Sequence, residues 1–285
     1  MLKLVIPVCP VNPKNNNGEF EVSGYSIRTA MMATFVVAGT SWAAAAQDTL
    51  TVGANIGNVP WEFQDETGAF VGFEIDLVAA VADRLGAEVE TVNIPFNGLF
   101  SAVQSGRIDI ATSSITVTDE RLESVSFAQP YYDSDQSLTA LAAGPKSLKE
   151  MEGKVVGVDT GSTGDVWASE HQGEYGFADI RRYEGLAPAM LDLTAGRIDG
   201  YISDIPALQY YVVDKPELAV VERIPTGETY SMMFAKDAEL ATQVNAVIDD
   251  LKTEGVLAEL HEKWFGVAPD EGSSTVTVLP MPSLD

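Results

Sequence analysis

Cysteine is almost missing from this 285-residue chain, which holds only Cys9. Histidine is nearly as scarce, with His171 and His261 alone. That supply excludes a disulfide scaffold and a Cys/His zinc site, so no metal is expected. Chemistry that needs several histidines is equally hard to build, and no cofactor is expected either. Positive charge is also short: 17 Lys+Arg stand against 42 Asp+Glu, a formal net charge of −25. Binding phosphate backbones requires a basic patch and counterion release, so nucleic acid is excluded as a partner. Adsorption to anionic lipid is excluded for the same reason. A membrane-spanning helix needs about 20 strongly apolar residues, and the uncharged stretch Thr29 to Gln47 is too short and too alanine-rich for one. What remains is a globular composition, 46% hydrophobic and 21% charged, with length for one or two domains.

The uncharged stretch reads instead as an export signal. Arg28 is its positive flank, Ala30 to Ala38 its apolar core, and Ala44-Ala45-Ala46 its small-residue cleavage site. Cleavage near Ala46-Gln47 makes Gln47 the first mature residue. Residues 1–25, with three prolines before position 14 and Asn15-Asn16-Asn17, do not suit a signal. They read as an extension upstream of a true start near Met31 or Met32. Val8 and Ile6 precede Cys9 where a lipid-anchor signal needs a small residue and a leucine, so no anchor is expected there. Three of the 17 basic and two of the 42 acidic residues lie before Gln47, which leaves 14 against 40, net −26, and no cysteine. A thiol-free chain suits an oxidising export compartment.

Periodicity then gives two α/β units. In the first, Leu50 to Gly53 is a strand and Glu74 to Leu85 a helix, stopped at Gly86. Val89 to Ile94 is a strand, Asn97 to Gln104 a helix and Ile108 to Ala111 a buried strand. The pattern restarts with strand Lys154 to Val158, a helix from Gly164, strand Ile180 to Tyr183, helix Leu186 to Thr194 and strand Ile198 to Ile202. Alternation of this kind implies mainly parallel sheets. Ser105-Gly106-Arg107-Ile108-Asp109 recurs as Ala195-Gly196-Arg197-Ile198-Asp199, 90 residues on, and reads as a structural repeat. Ligands sit beyond the carboxyl ends of parallel strands, so Ser113-Ser114 and Asp204 become matching rims of one cleft. Strand-like runs Gln136 to Ala142 and Thr229 to Ala235 read as crossings between the units. Leu240 to Leu260 reads as helical and returns to the first unit, and the chain beyond Pro269 is expected to fray.

Three segments carry a resemblance. They are Val71-Gly72-Phe73-Glu74-Ile75-Asp76-Leu77, then Ser114-Ile115-Thr116-Val117-Thr118-Asp119-Glu120-Arg121, then Phe127-Ala128-Gln129-Pro130-Tyr131-Tyr132. Gly153 to Val158, Gly161-Ser162-Thr163, Ala195 to Asp199 and Glu262 to Gly266 extend it to about residues 50–267. In order and spacing they resemble the polar amino acid-binding proteins of ABC importers, solute-binding protein family 3. The resemblance implies an α/β, two-lobed type II periplasmic-binding-protein fold joined by two hinge strands. It places residues 47–135 plus 230–268 in lobe 1, 136–229 in lobe 2 and 269–285 in a flexible tail. Function follows as an expectation: capture of a polar or basic L-amino acid by hinge closure in the periplasm, then delivery to an inner-membrane ABC permease by a monomer. No covalent chemistry is implied.

The resemblance also implies site residues. Arg121 clamps the ligand α-carboxylate with Ser114 and Thr116, and Thr163 adds a contact from lobe 2. Asp204 takes the α-ammonium, Phe96 flanks the side chain, and Asn55 and Asp159 read its identity. Asn58 stands where many relatives place a stacking aromatic, which weakens the case for a flat sandwich, whereas Asp159 favours a cationic ligand end. Physical chemistry agrees with the main roles. An Arg fork matches a carboxylate and stays charged when desolvated, and a buried ammonium needs an acidic partner. Supplying them from opposite lobes couples closure to ligand. Plainer roles compete: Asp204 as a helix cap, His171 and His261 as surface residues, Trp264-Phe265 as a helix-end anchor, Tyr131-Tyr132 as packing near the hinge. The enzymatic alternative is a cyclohexadienyl or arogenate dehydratase on the same fold, in which a cleft carboxyl of raised pKa acts as general acid.

Overall fold

The computed structural model describes residues 49–284. The expected export signal, its extension, Cys9 and the expected cleavage site lie outside them. Strand β1 (Thr49–Ala54) leads through a small hairpin, β2 (Phe63–Gln64) and β3 (Phe70–Val71), into helix α1 (Phe73–Leu85). Helix α1 buries Phe73, Leu77, Val78, Val81 and Ala82, one face at helical spacing. It stops where Gly86 turns left-handed at φ 69°, a conformation glycine adopts at no steric cost. Strand β4 (Glu88–Asn93), helix α2 (Phe96–Gln104) and strand β5 (Ile110–Ala111) follow, then the short helix α3 (Asp119–Leu122) and strand β6 (Val125–Phe127).

The second half repeats the plan. Strand β7 (Tyr132–Leu141) precedes β8 (Val155–Asp159), helix α4 (Thr163–Tyr175), β9 (Asp179–Tyr183), helix α5 (Leu186–Thr194), β10 (Gly200–Asp204), helix α6 (Ile205–Val212) and β11 (Leu218–Tyr230). The chain then returns as β12 (Met233–Ala235) and helices α7 (Glu239–Thr253) and α8 (Val256–Phe265). Two five-stranded sheets result, ordered β4-β1-β5-β12-β6 and β9-β8-β10-β7-β11. In each, the first three strands are parallel, and the fourth runs antiparallel to both of its neighbours. The sheets are therefore mixed rather than mainly parallel, because each lobe borrows its last strands from chain passing between lobes.

The 90-residue repeat holds in atomic detail. Gly106 and Gly196 are left-handed at φ 69° and 68°. The Thr51 amide donates to Asp109 Oδ2 at 2.8 Å, and the Val155 amide to Asp199 Oδ2 at 2.9 Å. The Asp109 and Asp199 amides answer by donating to the Thr51 and Val155 carbonyls, each at 2.8 Å. Below them, a methyl on Gly53 would meet Ile108 Cδ1 at 2.5 Å, and one on Gly157 would meet Ile198 Cδ1 at 2.6 Å. The isoleucine that leads into the next strand packs where a Cβ would stand at both places.

The lobes join at two adjacent crossings, with the Tyr131 amide donating to the Tyr230 carbonyl at 2.9 Å. The run Thr229 to Ala235 is not one strand: β11 ends at Tyr230 and β12 begins at Met233, since one strand cannot pair within both sheets. Between them Ser231 is pinned, its amide donating to the Ile115 carbonyl at 3.0 Å and its hydroxyl to the Ala128 carbonyl at 2.6 Å. The long run to Leu260 is likewise two helices, broken at left-handed Gly255, φ 84°. Val244, Ile248, Leu251 and Leu257 of these helices join Leu77 and Val81 in one core. Trp61 lies at its heart, fully buried, edge-on to Phe73, Tyr132 and Tyr230. His261 is no surface residue; it is buried, stacks on Tyr132 and sets Nδ1 2.8 Å from the Val267 carbonyl. Trp264 and Phe265 pack on the same core as the expected anchor. The chain beyond Pro269 does not simply fray. The Ser274 amide donates to Asp133 Oδ2 at 2.8 Å, the Thr275 hydroxyl to the Tyr131 carbonyl at 3.0 Å, and the Leu279 amide to Gln129 Oε1 at 2.9 Å. This segment lies against the outgoing crossing.

Candidate ligand site between the lobes

The carboxyl ends of β1, β5, β8 and β10 converge on a cavity of about 130 Å³. Asn55, Asn58, Phe96, Ser114, Thr116, Asp159, Thr163 and Asp204 all line it. Ser113, read with Ser114 as a rim of the cleft, also lines it, and lining residues that sequence reasoning missed include Ser162, Ser203 and the segment Gly185 to Pro188, which opens helix α5. Among the described residues that line it there is no Lys, Arg or His.

Ser114 and Asp204 occupy the same place in the repeat, 90 residues apart, and they meet: Ser114 Oγ donates to Asp204 Oδ2 at 3.1 Å. Ser114 adopts φ 43°, a left-handed conformation that costs a non-glycine residue about 1–2 kcal/mol. Its amide is held there by Glu74 Oε1 at 2.8 Å. Asp204 stands at the N-terminus of α6 but its side chain makes no capping bond. It turns to the cleft and accepts from Gln136 Nε2 at 2.6 Å. Burial, and then the nearby Glu228 carboxylate, push its pKa up to about 7.

Asp159 ends β8, and Asn55 directly follows β1. Its Oδ1 is enclosed and has no hydrogen-bond partner, and burial lifts its pKa to about 6. A desolvated carboxyl without a cation is costly unless it takes a proton or a positive ligand group. Asn58 Nδ2 donates to Ser114 Oγ at 3.0 Å, so Asn58 braces the rim, and Trp61, deep in the core, cannot replace a stacking aromatic.

Arg121 is the site residue that does not line the cavity. Its Nη1 donates to the Thr116 carbonyl at 2.7 Å and Nη2 to the Gly161 carbonyl at 3.3 Å, so it bridges the lobes. The guanidinium carbon lies 5.6 Å and 5.1 Å from the ring centres of Phe96 and Phe100. Desolvation lowers its pKa to about 10, against the pull of Glu228 and Asp204, so it stays charged at neutral pH. Glu228, unmarked by any sequence motif, takes the hydroxyls of Thr116 at 2.8 Å and Thr163 at 3.0 Å on Oε2. Gln136 Nε2 donates to the same carboxylate at 3.0 Å. Both residues lie on strands that leave or enter the hinge, and only the pairing of β7 with β11 brings them beneath the site.

Two lobes on paired sheets, two crossings and a polar cavity between facing strand ends define a hinge-type ligand-binding protein. The model of the bacterial extracellular solute-binding proteins, family 3, matches residues 50–267, and the chain belongs to that family. It is 31% identical over 220 residues to the arginine-binding extracellular protein ArtP of Bacillus subtilis, covering 76% of this chain and 86% of that protein. It is 31% identical over 229 residues to the L-cystine-binding protein TcyJ of Escherichia coli, covering 76% and 83%. Among solved structures it resembles the arginine-, lysine-, histidine-binding protein ArtJ of Geobacillus stearothermophilus, with a TM-score of 0.73 and 31% identity over 78% of this chain and 97% of that one. These relatives are solute-binding proteins rather than enzymes.

Proposed function

We propose that this protein captures a basic L-amino acid in the periplasm and presents it, enclosed, to an ABC permease of the inner membrane. The observation that carries the basic ligand is the enclosed, partnerless Asp159 Oδ1 in a cavity whose lining holds carboxyls and no cation. Asp204 takes the α-ammonium, and Asp159 with Asn55 takes the cationic end of the side chain, flanked by Phe96. Arg121, Ser114, Thr116 and Thr163 receive the α-carboxylate. Two adjustments accompany binding. Arg121 turns from the Thr116 and Gly161 carbonyls toward the ligand, and Glu228 yields the two threonine hydroxyls. The names of relatives that bind arginine and histidine agree with this class, whereas TcyJ is named for cystine, which is not basic.

Calorimetry of the residue 47–285 protein against the twenty amino acids tests the reading. One tight class of basic amino acids is expected, with Asp159→Asn weakening it about 10- to 100-fold, the scale of a hydrogen bond to a charged group. Equal affinity for neutral amino acids, or an unaffected Asp159→Asn variant, would sink the basic-ligand assignment. A second reading follows from Asp204, whose raised pKa of about 7 also suits a general acid of dehydratase type. Incubation with prephenate or arogenate decides it, since product formation is required.

A further inference from the structure

Directly behind the site lies a pair of carboxyls that ligand capture does not use. Glu62, just before β2, and Glu74, on α1, are both fully buried. They come within hydrogen-bonding reach of each other. The groups that face them are known element by element. From the β5 rim come the Ser113 hydroxyl, donating to Glu62 Oε1 at 2.6 Å, and the Ser114 amide on Glu74 Oε1. From the outgoing crossing comes the Tyr131 hydroxyl, which donates to Glu74 Oε1. From the loop after β1 comes the Asn58 amide, beside Glu62. None of these carries a positive charge. Each first oxygen is therefore satisfied by a donor, while Glu62 Oε2 and Glu74 Oε2 are both enclosed without a partner.

Two dry carboxylates with no cation cannot both stay ionised at such a separation. A single proton between the two free oxygens removes one charge and satisfies both orphan atoms. We infer that Glu62 and Glu74 share one proton, and that this bonded pair positions Ser113 and Ser114 for the ligand. The inference rests on the cleft's being the binding site, as proposed above. Its structural content is specific. Glu74 holds the Ser114 amide in its left-handed turn, from which Ser114 Oγ reaches Asp204. Glu62 holds Ser113 Oγ, which lies 3.4 Å from the Asn55 amide that donates to it. The pair thus anchors the lobe 1 rim opposite the two lobe 2 carboxyls.

Loss of the shared proton leaves two facing anions, and their separation pulls Ser113 and Ser114 from place. Burial, and then the Glu74 charge, raise the Glu62 pKa well above the ordinary carboxyl range, which favours retention of the shared proton. The ligand affinity is therefore expected to fall when alkaline pH removes it, by up to about tenfold per pH unit beyond that point.

Infrared difference spectroscopy and calorimetry together test this. At pH 8 the ligand-free wild type is expected to show a protonated-carboxyl C=O band that Glu62→Gln and Glu74→Gln each remove. With L-arginine as the probe, the wild-type Kd is expected to weaken with rising pH more steeply than that of Glu62→Gln, whose amide donates permanently to Glu74. The ligand's own ammonium titrates equally in both proteins and cancels in the comparison. A wild-type spectrum without such a band, or a Glu62→Gln Kd that follows the wild-type curve, overturns the inference. If L-arginine fails to bind, the basic-ligand reading falls, and the band still decides the shared proton. If Glu62→Gln does not fold, the wild-type band and its loss in Glu74→Gln decide it.

Discussion

Asn55 directly follows β1 and Asp159 ends the equivalent strand β8, and Ser114 and Asp204 follow or end β5 and β10 at positions 90 residues apart. At both places lobe 1 offers a neutral amide or hydroxyl where lobe 2 offers a carboxyl. The frame beneath is the same down to single hydrogen bonds, with Asp109 and Asp199 on their opposite strands and Ile108 and Ile198 over their glycines. The difference teaches how a duplicated scaffold binds a zwitterion. The scaffold residues hold the geometry alike in both lobes, and the rim residues diverge in charge. In the proposed binding mode lobe 2 is the cation side, and lobe 1, with Arg121 beyond its rim, the anion side.

Truncating the two matched rim residues should break the symmetry most visibly. Asp204→Ala removes one partner of a desolvated ion pair, a loss of about 2–5 kcal/mol, so ligand affinity should fall at least about 30-fold by calorimetry. Its counterpart Ser114→Ala removes an uncharged hydroxyl, about 0.5–1.5 kcal/mol, and should cost roughly tenfold or less. Equal losses would contradict the division of labour between lobes.

The glycine pair tests the shared frame. Gly53→Ala and Gly157→Ala should each destabilise by about 1–3 kcal/mol through overpacking, read from urea denaturation midpoints. Trimming the clashing methyl with Ile108→Val or Ile198→Val should restore part of each loss. Restoration should be smaller in lobe 2, where the new methyl also meets the Tyr183 and Tyr201 rings at 3.0 and 3.2 Å, which cannot bend away as Leu99 can.

Acidity sharpens the contrast further, because the raised cleft carboxyls at the rim belong to lobe 2. Asp159 and Asp204, at about 6 and 7, hold protons in the folded state that an unfolded carboxyl releases near 3.8. Their contribution to stability is complete below that value and is lost as pH rises through 6 and 7. The ligand-free melting temperature should therefore fall between about pH 4 and 7. A cationic ligand needs the ionised forms, so its Kd should tighten over the same window, by up to about tenfold per unit for each group still protonated. Protons should be released on binding, measurable by calorimetry in buffers of different ionisation enthalpy. A flat Kd across this range would contradict cation contact with both carboxyls.

The smallest effect concerns the matched anchors. Asp109→Ala and Asp199→Ala each free one strand amide and should cost about 1 kcal/mol in denaturation. The less exposed Asp199 should show the larger loss.

Most elements were legible because their causes are local. Helix α5 fell at Leu186–Thr194 as read, between a glycine and the cap at Ala195. Helix α1 started one residue before its expected first residue. The broken return at Ser231 and the split at Gly255 were harder, since the strand-like residues Thr229 to Ala235 give no sign of which sheet each half joins. His261 read as exposed because its helix is polar on most sides, while the Tyr132 and Phe265 rings that cover it lie far away or one turn on. Eight of the nine expected site residues meet at the cavity, and Arg121 stands just outside it. Glu62, Gln136 and Glu228 escaped notice because isolated polar residues in loops and strands look the same whether solvated or buried.

The sequence alone determined the alternating elements, the 90-residue repeat and the acidic, cysteine-poor composition, because periodicity, capping and charge are properties of neighbouring residues. It also placed Ser114 and Asp204 at corresponding strand ends. Only the tertiary structure decided that those ends touch, that one oxygen of Asp159 is enclosed without a partner, and that Glu62 and Glu74 meet in the buried interior behind Ser113 and Ser114. Those outcomes depend on desolvation and on contacts between distant segments, and both arise only when the two sheets and the crossing strands have come together.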